Sequence, residues 1–200
     1  TPMLKAMTQI KWADMDEIAE DTSAYMSDLV GVCREMMPQL GESLHPLYVR
    51  FFCDKFVASF VPRLIGNIYR CRRIGEVGAQ QMQLDVGTLK QTLLDLPTLG
   101  QAAAANPYTK LVASEMAVAE HILKLVTTPE ELLEATVDET RAAGVAVDFE
   151  KILVLKGLKA ADWTGAEKAR DAAAAAAAAA TEGGKKIKEA MAAKLRGMGA

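Results

Sequence analysis

The side chains that most often perform catalysis are few in this sequence and stand far apart. His45 and His121 are the two histidines, and about 75 residues separate them. His121 follows Glu120, but the H-E-x-x-H pattern of zinc hydrolases is absent, as are the Gly-rich patterns of phosphate-binding loops. Isolated imidazoles do not support a Ser–His–Asp arrangement either. The sequence therefore predicts no active site. The alternative is a helical enzyme domain completed by a partner chain, which a metal or cofactor beside Glu120 or His121 would support.

The three cysteines also predict no metal or redox site. Cys33, Cys53 and Cys71 are widely spaced, and each lies in an apolar context without a C-x-x-C pair. An odd number of such residues is typical of buried thiols in a reducing compartment. We therefore expect no metal and no cofactor.

One compact basic cluster could bind a partner. Arg70, Arg72 and Arg73 follow Tyr69 within five residues. Cations at the end of a helix offset the helix dipole, which is one interpretation. The other is contact with an acidic partner or an anionic membrane surface. Nucleic-acid binding needs a concentrated basic face, and the net charge is −3. We expect neither a nucleic-acid partner nor a small-molecule substrate.

The segments that contain these residues are all predicted to be helices. Apolar residues recur at helical spacing over about 21–40, 43–73, 76–96, 106–126, 128–144 and 148–155. Ser43, Asn106 and Thr128 are expected to begin helices as capping residues, with Thr128 and Glu131 forming a capping box. Gly41, Pro97, Gly144 and Gly157 are expected to end helices, and Pro62 to kink the longest one.

The apolar stripes predict which residues face the core. In the first helix the stripe is Tyr25, Leu29, Val32, Met36 and Leu40, and in the second it includes Leu47 and Phe51. We therefore predict an all-α fold with no β-sheet.

Composition predicts three regions. Residues 1–75 form a first helical bundle with one long kinked helix, residues 76–166 form a second, and residues 167–200 form an Ala-rich tail that includes nine consecutive alanines. No apolar run reaches the length of a membrane span. Because the chain begins with Thr1, we expect it to be a segment of a longer protein.

Four blocks of the sequence carry a family resemblance. They are residues 51–85, LKQTLLDLPTLG at 89–100, PYTKLVASEMAVAEHILKLV at 107–126 and FEKILVLKGLK at 149–159. In order and spacing they resemble the C-terminal region of the family of vacuolar protein sorting-associated protein 53. The blocks are packing motifs and contain no catalytic signature.

The resemblance implies a tethering function. Members of that family are subunits of the Golgi-associated retrograde protein complex and of the related endosome-associated recycling complex. The implied architecture is a set of tandem helical bundles forming an elongated rod. The implied partners are the other complex subunits, SNARE proteins and small GTPases. The implied location is peripheral, on the cytoplasmic face of trans-Golgi network and endosome membranes. A membrane-surface adaptor is the alternative.

Three candidate partner-binding surfaces follow from the residues. Asp95, Tyr108 and Lys110 are expected near one hairpin end, where two helix termini meet. Lys156 and Lys159 flank Gly157 at another place. Arg70, Arg72 and Arg73 form the third surface.

Overall fold

The chain is all-helical wherever its structure is described. The computed structural model describes residues 2–159, which contain seven helices and no strand. The helices are α1 (Pro2–Gln9), α2 (Ala24–Ser43), α3 (Pro46–Ile68), α4 (Glu76–Leu99), α5 (Asn106–Thr127), α6 (Glu130–Ala142) and α7 (Phe149–Lys156). The predicted all-α fold is confirmed. The predicted Ala-rich tail lies outside the described residues.

The boundary between α2 and α3 differs from the prediction. Gly41 does not end α2, and Ser43 is the last residue of that helix and does not cap the next. Instead His45 caps α3, its Nδ1 accepting a hydrogen bond from the backbone N–H of Leu47. A Cβ at Gly41 would lie 2.5 Å from the carbonyl oxygen of Gly100. Gly41 is therefore needed for close approach of two backbones.

Two other predicted caps are wrong. Asn106 is the first residue of α5, and Ala105, which precedes it, offers no side-chain cap. Thr128 donates its hydroxyl to the carbonyl of Lys124 and so bonds backward to α5, leaving α6 without a capping box. Such local side-chain bonds to the preceding turn compete with capping.

The last helix follows the prediction closely. Asp148 caps α7, with Oδ1 accepting from the N–H of Lys151 at 3.2 Å. Gly157 ends the helix with φ of 79°, a left-handed conformation that glycine adopts without strain. Pro97, by contrast, lies inside α4, which continues to Leu99, and α3 runs through Pro62.

Helices from both sides of residue 75 share one core. Residues 1–158 form one compact unit. Within it α4 packs most extensively on α5 and also on α2, while α3 packs on α5. The predicted boundary at residue 75 therefore does not separate two bundles in the described residues, because the helices that precede it bury their apolar faces against those that follow.

Two predicted stripes are right only in part. In α2 the buried residues are Tyr25, Met26, Leu29, Val30, Cys33 and Met37, whereas Val32 is exposed. In α3 Leu47 and Phe51 are exposed, and Val49 and Cys53 are buried in their place. Both faces of α3 are apolar, so periodicity alone could not choose between them.

Candidate partner-binding surfaces

The basic cluster lies in the connection between α3 and α4. Helix α3 ends at Ile68, so Arg70, Arg72 and Arg73 follow the helix and do not occupy its last turn. All three side chains are exposed. Tyr69 holds this connection against α7, because its hydroxyl accepts from the backbone N–H of Asp148 at 3.0 Å. The arginines thus stand on an anchored loop, where they can meet a partner.

One arginine of the cluster lines a cleft. The cleft encloses about 460 Å³ and lies where the N-termini of α4 and α6 meet the C-termini of α5 and α7. Its charged lining residues are Arg73, Lys156, Glu76, Glu130 and Glu131. Two cations thus face three carboxylates, so the cleft has no strongly dominant charge.

The structure brings together Arg73 and Lys156, which the sequence had assigned to separate surfaces. The N–H of Ile74 donates to the carbonyl of Leu155 at 2.8 Å, which ties the arginine loop to α7. A Cβ at Gly157 would lie 2.8 Å from Nε of Arg73. No signal in the sequence predicts this pairing, because 83 positions separate the two residues.

Lys156 is largely occupied within the fold. Its Nζ donates to the carbonyls of Val126 at 2.8 Å and Thr128 at 2.6 Å, so it caps the C-terminus of α5. Burial lowers the pKa of this ammonium from its ordinary value, and the carboxylates of Glu130 and Glu76 oppose that shift. The side chain is half-buried. Lys156 is therefore first a structural residue.

Tyr108 is not a surface residue. Its side chain is only 5% exposed, and its hydroxyl donates to the carbonyl of Leu93. Burial raises the pKa of this phenol, with Cys53 and Asp54 acting in the same direction. The expected exposure of Tyr108 is wrong, because the side chain is buried and its hydroxyl bonds from α5 to α4. Partner binding by this residue stays a prediction.

Asp95, Lys110 and Lys159 remain available. Asp95 is exposed and accepts one hydrogen bond from Nε2 of Gln91 at 3.1 Å. Lys110 and Lys159 are both exposed. Among the described residues no ion pair involves any of these three.

The most exposed large apolar side chains were missed as candidates. Leu47, Tyr48 and Phe51 lie near the start of α3 and are 64%, 63% and 59% exposed. The sequence had placed Leu47 and Phe51 in the core. The available signal was that the apolar residues of α3 fall on two sides of the helix, which one buried stripe does not require.

The described residues offer no centre for metal chemistry. Between residues 2 and 159, no group of three His, Cys, Asp or Glu side chains could hold a metal ion. His121 bonds through Nδ1 to the carbonyl of Ala117 in its own helix, and Glu120 pairs with Lys90 at 2.7 Å. None of the described helices combines the length and apolar character that crossing a bilayer requires.

The described residues define an all-helical segment with charged and apolar patches on its surface. Residues 80–158 match the family model described as vacuolar protein sorting-associated protein 53 C-terminus. One relative, vacuolar protein sorting-associated protein 53 A of Arabidopsis thaliana, is 39% identical over 163 residues, which cover 80% of this chain and 19% of the relative. The homolog of that protein in Caenorhabditis elegans is 29% identical over 164 residues, 78% of this chain and 20% of the relative. The chain belongs to this family and corresponds to its C-terminal region.

The matched region is a small part of the relatives. The chain spans 19% and 20% of the lengths of the two proteins. No solved structure matches it.

Proposed function

We propose that this chain is a non-enzymatic segment of a vesicle-tethering subunit. The family membership over residues 80–158 carries the proposal. The full protein would assemble with the other subunits of the complex and act in retrograde transport from endosomes to the trans-Golgi network. It would work as a peripheral protein on the cytoplasmic face of those membranes, with SNARE proteins and small GTPases as partners.

The physical argument is that the described residues are built to pack and to bind. Long helices joined by short connections cover distance with few residues, which suits an element of an elongated rod. Exposed charges on anchored positions, such as Arg70 and Arg72, supply directional contacts without requiring the fold to move.

Assembly and sorting test the proposal together. The full-length protein is tagged in cells that lack the native copy. We expect the other complex subunits to co-purify with it and an endosome-derived cargo to return to the trans-Golgi network. Co-purification of no other subunit, or normal cargo return without the protein, would contradict the proposal.

The same cells can test the predicted surface. The double variant Asp95→Lys/Lys110→Glu reverses two exposed charges, so the free energy of unfolding should change by no more than about 1 kcal/mol in total. We expect cargo return to fall while the amount of protein stays constant. Glu134→Lys is the control, since that residue is exposed on α6 without an ion pair in the described part of the chain. Equal cargo return in the double variant and in the control would contradict a role of Asp95 and Lys110 in partner binding.

A membrane-surface adaptor is the second candidate, favoured by the exposed Arg70, Arg72 and Arg73. Flotation with anionic vesicles should then depend on these arginines and weaken with salt. Flotation that does not change with lipid charge or salt concentration would contradict this second candidate function.

A further inference from the structure

Helix α3 is apolar on two opposite faces. One face is buried in the core through Val49, Cys53, Val57, Val61 and Leu64. On the other face, Leu47, Tyr48, Phe51, Ala58 and Pro62 are exposed. One buried stripe accounts for the first face but not for the second. Within the described residues nothing covers this second face, which we call the outer seam of α3.

The spacing of the outer seam suits another helix. Leu47 and Phe51 are four residues apart, Ala58 follows seven residues later, and Pro62 another four. Residues separated by four and seven lie on one side of a helix. The seam from Leu47 to Pro62 is about 22 Å long. Such a row forms a ridge that packs into the groove of a second helix.

A cation reinforces the centre of the seam. The Nζ of Lys55 lies 5.4 Å from the ring centroid of Phe51. This cation–π contact holds the ammonium beside the exposed ring. An arriving carboxylate would therefore meet a positive charge next to the largest apolar side chain of the seam.

The other charges of α3 point to the chemistry of the partner. Arg50, Lys55 and Arg63 are all exposed, and no ion pair involves them in the described part of the chain. The one carboxylate of α3, Asp54, is half-buried. A second copy of this chain would bring like charges together, which costs free energy. An apolar stripe flanked by carboxylates would satisfy both the seam and its cations.

We propose that the outer seam of α3 docks an amphipathic helix of another protein, whose apolar stripe is flanked by Asp or Glu residues. The proposal is independent of the tethering function, since it depends only on the exposure and charge of α3. It also gives a reason for the aromatic and aliphatic residues that the core leaves outside.

Designed peptides test the charge rule. Three helical peptides share one leucine stripe at four- and three-residue spacing, and their flanking positions carry only Glu, only Gln or only Lys. Their binding to the 200-residue chain is followed by fluorescence anisotropy at low and high salt. We expect the Glu peptide to bind most tightly and the Lys peptide least, with the difference shrinking as salt screens the charges.

Variants of the chain test the location. Leu47→Ser/Phe51→Ser should weaken binding of the Glu peptide about tenfold or more, because aromatic and aliphatic anchors dominate such contacts. Arg50→Glu/Lys55→Glu should reverse the order of the Glu and Lys peptides. Leu132→Ser is the matched control, since Leu132 is 58% exposed on α6. Circular dichroism verifies that each variant keeps its helices.

Several results would overturn the proposal. They are absence of binding, equal binding of the three peptides, or equal losses for the seam variant and for Leu132→Ser. Sedimentation that reveals a dimer lost in the seam variant would assign the seam to a second copy. Seam-dependent flotation with phosphatidylserine vesicles, without competition by the Glu peptide, would assign it to a lipid surface.

Discussion

Two buried polar residues of α4 fix an otherwise irregular segment. Gln81 is 1% exposed, and its Oε1 accepts from the N–H of Ala19 at 2.7 Å while its Nε2 donates to the carbonyl of Asp21 at 3.0 Å. One turn later, Oδ1 of Asp85 accepts from the N–H of Ser23 at 2.8 Å. These bonds give the connection before α2 the partners that it lacks within itself.

Replacing Gln81 should therefore be costly. Gln81→Ala removes two side-chain bonds and leaves the groups at Ala19 and Asp21 without their partners, so we expect a loss of about 1–3 kcal/mol in the free energy of unfolding. Urea denaturation measures it. Gln83→Ala, two residues away on the exposed side of α4, should change the value by less than about 0.5 kcal/mol. Equal effects of the two changes would contradict this account.

Single residues were predictable only when their partners are close in sequence. The end of α7 at Gly157 depends on neighbours within four residues, and that prediction is confirmed. Tyr108 and Lys156 depend on carbonyls 15 and 28–30 positions away. The sequence pattern carries no information on such distant partners, so both residues looked like free surface groups.

At the scale of elements, periodicity found the helices but not always their ends. Gly41 and Pro97 are frequent helix terminators, yet α2 and α4 continue past them. Tertiary packing decides these cases, because Gly41 faces the backbone of Gly100 and Pro97 is buried. The same limit applies to α3, where two apolar faces gave two possible orientations and burial selected Val49 over Leu47.

A glycine pair in α4 separates packing from helix propensity. A Cβ at Gly78 would lie 2.1 Å from the carbonyl oxygen of Trp12, whereas one at Gly87 would meet nothing within 4 Å. Gly78→Ala should therefore force the backbones of α4 and Trp12 apart. We expect it to lower the free energy of unfolding by about 1–3 kcal/mol. Gly87→Ala should stabilise the chain by about 0.4–1 kcal/mol, because alanine restricts the unfolded chain and suits a helix.

Thermal and urea unfolding would measure the change in the free energy of unfolding for Gly78→Ala and for Gly87→Ala. The comparison is internal to one helix, so differences in the unfolded state largely cancel. Stabilisation by Gly78→Ala would show that α4 does not approach Trp12 as closely as the structure has it.

At the scale of the whole molecule, the sequence predicted the fold class but not the assembly of the helices. Composition and periodicity sufficed for an all-α chain. The boundary at residue 75 rested on a loop and a change of charge, but α4 and α5 bury their apolar faces against helices that precede that loop. Which stripes face each other is a three-dimensional property, and several pairings satisfy the same pattern.

The buried thiols should make the free energy of unfolding vary with pH in the alkaline range. Burial raises the pKa of Cys33 above its ordinary value of 9.0, and it raises the pKa of Cys71 to about 11. Burial, with the nearby Asp54, raises the pKa of Cys53 to about 12. The unfolded chain thus releases these protons at lower pH than the folded chain. The free energy of unfolding should fall as pH rises from about 9 to about 12.

The titration of Lys156 has the opposite effect on the free energy of unfolding. Its pKa in the folded chain is lowered from 10.5, so it adds stability as pH rises through the interval below that value. Three thiols outweigh one ammonium, and burial raises the pKa of Tyr25 as well. Urea unfolding with reductant at pH 8, 9, 10 and 11 should therefore give a steady decline. Cys33→Ala/Cys53→Ala/Cys71→Ala should start less stable at pH 8, because buried sulfur contacts are lost, yet decline less steeply. Equal slopes for the two proteins would mean that the thiols are not shielded from water in solution.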